Sequence, residues 1–270
     1  MQIHIDNVLR FSWPEPASGV VAVFRLTPRQ TDRQQTVNWR VDVDADGSLT
    51  QKTDAYGNLC HIFYADRPLE RMEMEVNGVV NTITSTGVET GFEERLPPAI
   101  YRRSTPRTAV TPAIALFAES YRREDRIETL HALMAGIHER IGLVEHNVCK
   151  AAEEALSGGK GRAEDLAHLF IAAARHLGYP ARFLCGHLVE EDRKDSGHAW
   201  AQAYIEGLGW THFDPSLDVS VTEAHLGVAI GLDSHDAVPA RLTSRNGGAE
   251  SLVVGMRGRE NAQELLQRQS

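Results

Sequence analysis

The hydrophobic pattern of this chain changes its period once, near Pro112. Before that residue, apolar and polar residues alternate in short runs rich in Val, Phe and Trp, which is typical of β-strands. After it, apolar residues recur at helical spacing over 113–121 and 127–141. Strands followed by helices and then by further strands predict an α+β protein, in which an N-terminal β-sandwich-like domain precedes an α+β core.

A proline-rich segment, 96–112, separates the two regions. It has no hydrophobic periodicity and contains several prolines and arginines, so we predict a linker. The predicted division is 1–95 for the N-terminal β-rich domain, 113–259 for the core and 260–270 for a polar C-terminal tail. Two domains of ordinary size fit a chain of 270 residues.

The composition excludes several classes of partner. Asp and Glu number 37 against 28 Lys and Arg, which gives a formal net charge of −9, so we expect no nucleic-acid partner. No apolar run approaches the roughly 18 residues of a membrane span, and the first residues lack the pattern of a signal peptide. The three cysteines, Cys60, Cys149 and Cys185, are too few and too widely spaced for a disulfide framework. We therefore expect a cytoplasmic protein without a membrane partner, and a homo-oligomer is left open.

The best-defined helix is predicted over 163–177. Its apolar residues form one stripe at helical spacing, which must be buried: Ala163, Leu166, Ala167, Phe170, Ile171, Ala174 and Leu177. A helix N-terminus is a favourable position for a nucleophilic thiol, because the helix dipole lowers the thiol pKa and free N–H groups can hold an oxyanion. The residue at this position is Ala163, which cannot attack a carbonyl.

A strand predicted over 197–205 alternates cleanly. Its larger side chains share one face: His198, Trp200, Gln202 and Tyr204. The small side chains on the other face are expected to pack on a helix.

The turn that follows this strand decides whether His198 can meet Asp214 on the return strand. A three-residue turn centred on Gly207 makes Asp214 a diagonal neighbour on the His198 face, within reach of a hydrogen bond. A two-residue turn would put Asp214 on the opposite face. The strand pattern thus allows a His–Asp pair, the base half of a nucleophilic triad, without requiring it.

Four motifs, in order, resemble the core of the bacterial transglutaminase-like proteins. They are Gly161-Arg-Ala-Glu-Asp-Leu-Ala-His, Gly178-Tyr-Pro-Ala-Arg, Ser196-Gly-His-Ala-Trp-Ala-Gln-Ala-Tyr and Gly209-Trp-Thr-His-Phe-Asp-Pro-Ser. The family pattern is Gly-x-Cys-x-Asp-x-Ala at a helix start, then His-Ala-Trp on a strand, then Asp-Pro. The resemblance extends from about Pro112 to about Asp236, and the first hundred residues resemble the N-terminal domain of many bacterial members. It implies a papain-like fold, shared with cysteine peptidases and amidases.

The resemblance also implies roles for individual residues. The nucleophilic Cys of the family falls on Ala163, its His on His198 and its Asp on Asp214. The other matching motif residues are assigned to substrate binding: Asp165, His168 and Trp200. For Asp165, a first-turn acid favoured by the helix dipole is an equal alternative.

Two functions of different classes remain. The favoured one is a cysteine peptidase or amidase disarmed by an engineered Cys-to-Ala exchange at position 163, acting on a peptide or small amide through an acyl-enzyme. Hydrolysis and transamidation are both left open. The alternative is a natural pseudoenzyme that binds a peptide or a partner protein in the former cleft. Cys149 or Cys185 as a displaced nucleophile is a further, less favoured alternative.

No metal or cofactor is expected. The spacings of the histidines match no common zinc motif: His168, His187, His198 and His212. Asp42-x-Asp44-x-Asp46 begins like a calcium loop, but its twelfth position is Thr53 instead of a carboxylate, so we predict a hairpin turn there.

Overall fold

The structure, a computed structural model, describes residues 1–145, 150–189 and 197–245, together with the backbone of 250–260. The N-terminal region consists of strands: β1 Gln2–Ala17, β2 Val21–Phe24, β3 Gln34–Asp44, β4 Gly47–Thr53, β5 Leu59–Ala65, β6 Leu69–Thr82 and β7 Val88–Glu89. The remainder mixes helices and strands: α1 Pro112–Ser120, α2 Arg126–Arg140, β8 Gly142–Leu143, α3 Ala152–Gly158, β9 Lys160–Gly161, α4 Ala163–His176, β10 Ala181–Leu188, β11 Gly197–Ile205, β12 Gly209–Phe213, β13 His225–Gly231, β14 Ala240–Thr243 and β15 Glu250–Glu260.

Strands β1 to β6 lie in two antiparallel sheets, with strand orders β15-β1-β6-β3 and β14-β2-β5-β4, whereas β7 pairs with β12. Side chains from both sheets form one apolar cluster, for example Phe11 and Met74 from the first sheet and Phe24 and Phe63 from the second. Sheets that bury a shared face in this way form a sandwich. The predicted β-sandwich-like N-terminal domain is therefore present within an α+β protein.

The C-terminal strands return to this sandwich, which differs from the predicted core boundary at residue 259. Ala240–Thr243 pairs with β2, and Glu250–Glu260 pairs with β1, so both strands belong to the N-terminal sheets. Strand patterns predict local structure but not the partner strand, and each of these additions covers a sheet edge. The predicted tail begins at residue 260, and the part of it after that residue lies outside the described residues.

The segment 96–112, predicted as a linker, is packed against the rest of the protein. It forms two short 3-10 turns, Pro98–Arg102 and Pro106–Thr108, and the Tyr101 and Thr108 side chains are fully buried. The Arg175 guanidinium of α4 holds both turns, donating to the Tyr101 carbonyl at 2.8 Å and to Thr108 Oγ1 at 2.7 Å.

The turn at 45–46 is not a hairpin, contrary to the prediction. The strand before it, β3, pairs with β6, whereas the strand after it, β4, pairs with β5. The turn therefore carries the chain from one sheet of the sandwich to the other.

The core consists of a five-stranded antiparallel sheet, β13-β10-β11-β12-β7, with α4 packed on one face. Ala199, Ala201 and Ala203 of β11 lie in the same apolar cluster as Leu166 and Phe170 of α4. The small side chains of β11 thus pack on the helix, as predicted. The longest described helix, α2, has 15 residues, and no helix in the described ranges is long and apolar enough to cross a membrane.

Candidate functional site

The turn between β11 and β12 has the length that brings His198 and Asp214 together. Ile205 pairs with Gly209, which leaves a three-residue turn centred on Gly207, and the pairing runs on to Ala201 and Phe213. Gly207 has φ +85°, a left-handed conformation that favours glycine. The His198 Nε2 atom lies 2.5 Å from Asp214 Oδ2. Of the two turn lengths left open by the sequence, the three-residue turn is therefore the one present, and the His–Asp hydrogen bond that it allows is formed.

The Asp214 carboxylate is completely buried and accepts hydrogen bonds at both oxygens. Its Oδ1 accepts from the Ser216 backbone N–H at 2.9 Å and from Ser216 Oγ at 2.6 Å. Its Oδ2 accepts from His198 and also from His225 Nε2, at 3.2 Å. Burial alone would raise the pKa of Asp214, but the hydrogen bonds from the two histidines and Ser216 outweigh it and hold the pKa below its ordinary value. Asp214 is therefore an anion at neutral pH.

These contacts fix which ring nitrogens carry protons. The Thr222 backbone N–H donates to His225 Nδ1 at 3.1 Å, so the proton of a neutral His225 is on Nε2 and is donated to Asp214. Burial lowers the pKa of His225, although the Asp214 charge partly opposes it. His198 likewise faces Asp214 with Nε2, which leaves Nδ1 as its basic nitrogen.

His225 is the site residue that sequence reasoning missed. It lies 11 residues beyond Asp214 at the start of β13, and no recognised motif includes it. The one sequence signal is a histidine that opens a continuous apolar run, since all seven residues of His225–Gly231 are buried. A polar group at the start of a buried strand requires a buried partner.

The Trp200 ring packs against His198 and His225. Its ring stacks on His198, with centroids 5.8 Å apart and planes 29° apart, and meets His225 edge-on at 5.2 Å. Its Nε1 donates to His212 Nδ1 at 2.9 Å, and the side chain is fully buried. Burial lowers the pKa of His212, with the Glu89 charge acting in the opposite direction. The described contacts of Trp200 orient the His198 ring, and its predicted contact with substrate stays a prediction.

Asp165 and His168 are residues of α4 whose side chains hydrogen-bond to backbone groups of this chain. The Asp165 carboxylate accepts from the backbone N–H groups of Lys150 at 2.6 Å and Arg162 at 2.9 Å. His168 accepts from the Ser234 N–H at Nε2 (3.1 Å), so its Nδ1 proton is donated to the Lys150 carbonyl (3.3 Å). Both side chains have an exposed fraction of zero. Their observed partners are groups of this chain, and their assignment to substrate binding stays a prediction.

Ala163 is the first residue of α4 and is partly exposed. The preceding residue, Arg162, makes no side-chain hydrogen bond that caps the helix, and it forms an ion pair with Glu164 at 3.3 Å. A helix start without a capping side chain offers N–H groups to a ligand oxygen.

The described cysteines have the properties of inert thiols. Burial raises the pKa of Cys60 to about 11 and that of Cys185 to about 12, and Cys185 Sγ donates to the Ala237 carbonyl at 3.0 Å. A nucleophilic cysteine requires a lowered pKa, so neither fits the role of a displaced nucleophile. Cys149 lies outside the described residues.

Among the described residues, one group of side chains has the composition of a metal site. His198, Asp214 and His225 offer three ligand atoms within 4.8 Å of one another. The proton arrangement does not fit a cation, because His225 Nε2 carries a proton and its Nδ1 is occupied by the Thr222 N–H. A metal ligand would need a bare ring nitrogen facing the ion.

Comparison with known proteins agrees with this architecture. Residues 3–81 match the bacterial transglutaminase-like N-terminal region, and residues 117–215 match the transglutaminase-like superfamily. The core of the chain is therefore transglutaminase-like, and it is preceded by the N-terminal region found in bacterial transglutaminase-like proteins.

Two relatives and one solved structure match this chain along most of their length. An uncharacterized protein from Mycobacterium leprae is 26% identical over 90% of this chain and 93% of its own length. One from Mycobacterium tuberculosis is 25% identical over 80% of this chain and 79% of its own length. A crystal structure of a candidate cysteine protease from Cytophaga hutchinsonii superimposes with a TM-score of 0.72, at 19% identity, over 94% of this chain and 91% of that one. The solved structure shows that the chain shares its fold, and the family models identify the core as transglutaminase-like.

Proposed function

We propose that this chain is a transglutaminase-like cysteine peptidase or amidase whose nucleophile position is occupied by Ala163. The observation that supports the proposal most strongly is the buried His198–Asp214 hydrogen bond of 2.5 Å, which leaves His198 Nδ1 as a basic nitrogen. A histidine held in one tautomer by a buried carboxylate is the base of a nucleophilic triad. With alanine at position 163, the chain binds its substrate without cleaving it.

In the active form a thiol at position 163 would give its proton to His198 Nδ1. Its sulfur would then bond to the carbonyl carbon of a peptide or small amide while N–H groups at the start of α4 hold the oxyanion. The carbon–nitrogen bond breaks, and the amine leaves with the proton from His198. Water, activated by the same histidine, hydrolyses the thioester and restores the thiol. The Asp214 charge stabilises the imidazolium that forms during both proton transfers.

Two observations support the approach of position 163 to His198. The body of α4 packs on Ala199, next to His198 in β11. Burial raises the pKa of Cys185, the strand partner of Ala199, and the charge of Glu164 in the first turn of α4 adds to that effect. His198 leaves the sheet on the face opposite Ala199. A thiol at position 163 therefore has to reach His198 around the end of β11, and Gly197 is the one residue of this strand that precedes His198.

The test is to restore the thiol with Ala163→Cys and to look for an acyl-enzyme. The variant is incubated with activated esters and with a mixture of short peptide amides, and intact mass is recorded after rapid quenching. We expect a covalent acyl adduct at position 163, lost when His198→Ala is added. Glu164→Cys, which puts a thiol one residue further along the same helix turn, is the matched control. A folded Ala163→Cys protein that acylates no faster than this control would contradict the proposal.

The alternative is a pseudoenzyme that binds a peptide or partner protein, and the observation in its favour is Ala163 itself. It predicts that the parent chain binds peptides while Ala163→Cys forms no adduct. Under either proposal we place the protein in the cytoplasm, which is supported by the two free cysteines of the described residues. A peptide or small amide is the proposed ligand in both cases.

A further inference from the structure

The N-terminal sandwich is hydrogen-bonded to the segment that carries His225. Three of its side chains hydrogen-bond to the backbone of 222–227. Arg33 Nη2 donates to the Thr222 carbonyl at 2.9 Å, and Thr82 Oγ1 donates to the Glu223 carbonyl at 2.6 Å. The Gln34 side-chain amide donates to the Gly227 carbonyl at 2.6 Å and accepts from the Gly227 N–H at 2.9 Å. Arg33, Gln34 and Thr82 are all buried. Contacts of this kind fix the backbone of 222–227 relative to the sandwich.

The turn from Thr222 to His225 is closed by the histidine ring itself. The His225 backbone N–H donates to the Thr222 carbonyl at 3.1 Å, while the Thr222 N–H donates to His225 Nδ1, also at 3.1 Å. The ring is therefore fixed in position and in tautomer by the residue that Arg33 holds. Its remaining N–H can only point towards Asp214, at 3.2 Å.

Asp214 Oδ2 accepts from His225 and from His198 at the same time. Because the His225 donor belongs to a turn closed by two hydrogen bonds, it defines where this oxygen lies. The oxygen in turn defines the orientation of the His198 ring. The contacts thus run without a gap from the sandwich to the base: Arg33, Thr222, His225, Asp214, His198.

We propose that His225 is a positioning residue through which the N-terminal β region aligns Asp214 and His198. The catalytic consequence rests on the proposed function, but the alignment itself does not. The N-terminal region is then a structural part of the His–Asp site as well as a neighbouring sandwich. The turn at 222–225 is the connection between them.

The alignment can be tested in the parent chain, which needs no nucleophile. The exchange of the His198 Nε2 proton with water is measured by NMR on ¹⁵N-histidine-labelled protein, with the signal assigned by its loss in His198→Ala. In His225→Leu we expect exchange to rise about tenfold, the equivalent of one lost hydrogen bond. His225→Gln keeps a side-chain N–H that can reach Asp214, so exchange should return towards the parent value. Unchanged exchange in folded His225→Leu would overturn the proposal. His138→Leu, at an exposed histidine on α2, is the control.

The connection to the sandwich is tested with Thr82→Val, a near-isosteric change that removes the donor to Glu223. Its matched control is Thr36→Val on the neighbouring strand, because the Thr36 hydroxyl is buried without a hydrogen-bond partner. We expect faster exchange of the His198 proton in Thr82→Val and parent-like exchange in Thr36→Val. Equal exchange in both would overturn the proposed connection, and this comparison stands even if His225→Leu fails to fold.

The same variants in the Ala163→Cys protein separate this proposal from the proposed function. We expect His225→Leu to reduce alkylation of the new thiol at neutral pH about tenfold and His225→Gln to recover most of the loss. If Ala163→Cys alone behaves as an ordinary thiol, the proposed function fails. The proton-exchange results in the parent chain then still decide whether His225 aligns Asp214 and His198.

Discussion

Protonation of His168 is expected to govern the acid sensitivity of this fold. The His168 ring is fully buried, accepts from the Ser234 N–H and stacks on Phe183 with ring centroids 5.1 Å apart. A proton added at Nε2 would place two donors against each other without water. Burial accordingly lowers the pKa of His168 from 6.5 to about 4.

The size of the effect follows from linkage. The unfolded chain binds a proton at this histidine below about pH 6.5, whereas the folded chain does so only near pH 4. Stability from the neutral ring is complete above the unfolded pKa and is lost as the pH falls towards the folded pKa. A difference of about 2.5 pKa values corresponds to about 3 kcal/mol. This is a large share of the free energy of unfolding of a typical domain, which is about 5–15 kcal/mol.

His168→Gln isolates this contribution, because glutamine does not titrate. Free energies of unfolding are measured by urea denaturation at pH 7, 6, 5 and 4 for the parent and the variant. We expect the parent to lose about 3 kcal/mol more than His168→Gln between pH 7 and pH 4. The other buried histidines are present in both proteins, so their contribution cancels in the difference. A gap between the two proteins that does not change with pH would refute the reasoning.

Three further results are expected. Asp214→Asn should lower the free energy of unfolding by about 3–5 kcal/mol, since the carboxylate accepts four hydrogen bonds in a buried site; a change below about 1 kcal/mol in denaturant melts would contradict this. Arg175→Lys should lower the free energy of unfolding by about 3 kcal/mol, because a lysine cannot reproduce the guanidinium hydrogen bonds to the 3-10 turns of 96–112. Thermal melts that match the parent would contradict the stabilising role of these hydrogen bonds. Cys60 and Cys185 should be alkylated at pH 8 at least about a hundredfold more slowly than free cysteine, and rapid labelling in peptide maps would show that their raised pKa values are wrong.

The local features of the site could be predicted from the sequence. The apolar stripe of α4 and the alternation of β11 depend on neighbouring residues alone. The three-residue turn at Gly207 fixes the register over a few positions, and with it the meeting of His198 and Asp214. These features are encoded within about 20 residues, a distance over which periodicity and turn chemistry are informative.

The features that depend on distant pairing could not be predicted. In strand β1 the buried polar Asn7 interrupts the alternation of buried apolar residues, so the residue pattern does not reveal the strand's full length. The return of β14 and β15 to the sandwich depends on partners more than 200 residues away. His225 is of the same kind, since its role follows from a turn that Arg33 holds across 189 positions of the chain. Nothing in the residues around His225 distinguishes it from an ordinary buried histidine.

The central claim is that His198 and Asp214 form an assembled base next to position 163. Ala163→Cys is alkylated with iodoacetamide across a range of pH, and the rate of the parent chain is subtracted to remove the background of its own cysteines. Glu164→Cys serves as the neighbouring-thiol control. We expect the thiol at position 163 to titrate well below about 8.5, and its pKa to rise when His198→Ala is added. An ordinary or raised pKa that does not respond to His198 would contradict the account, because the base and the nucleophile position would then not meet.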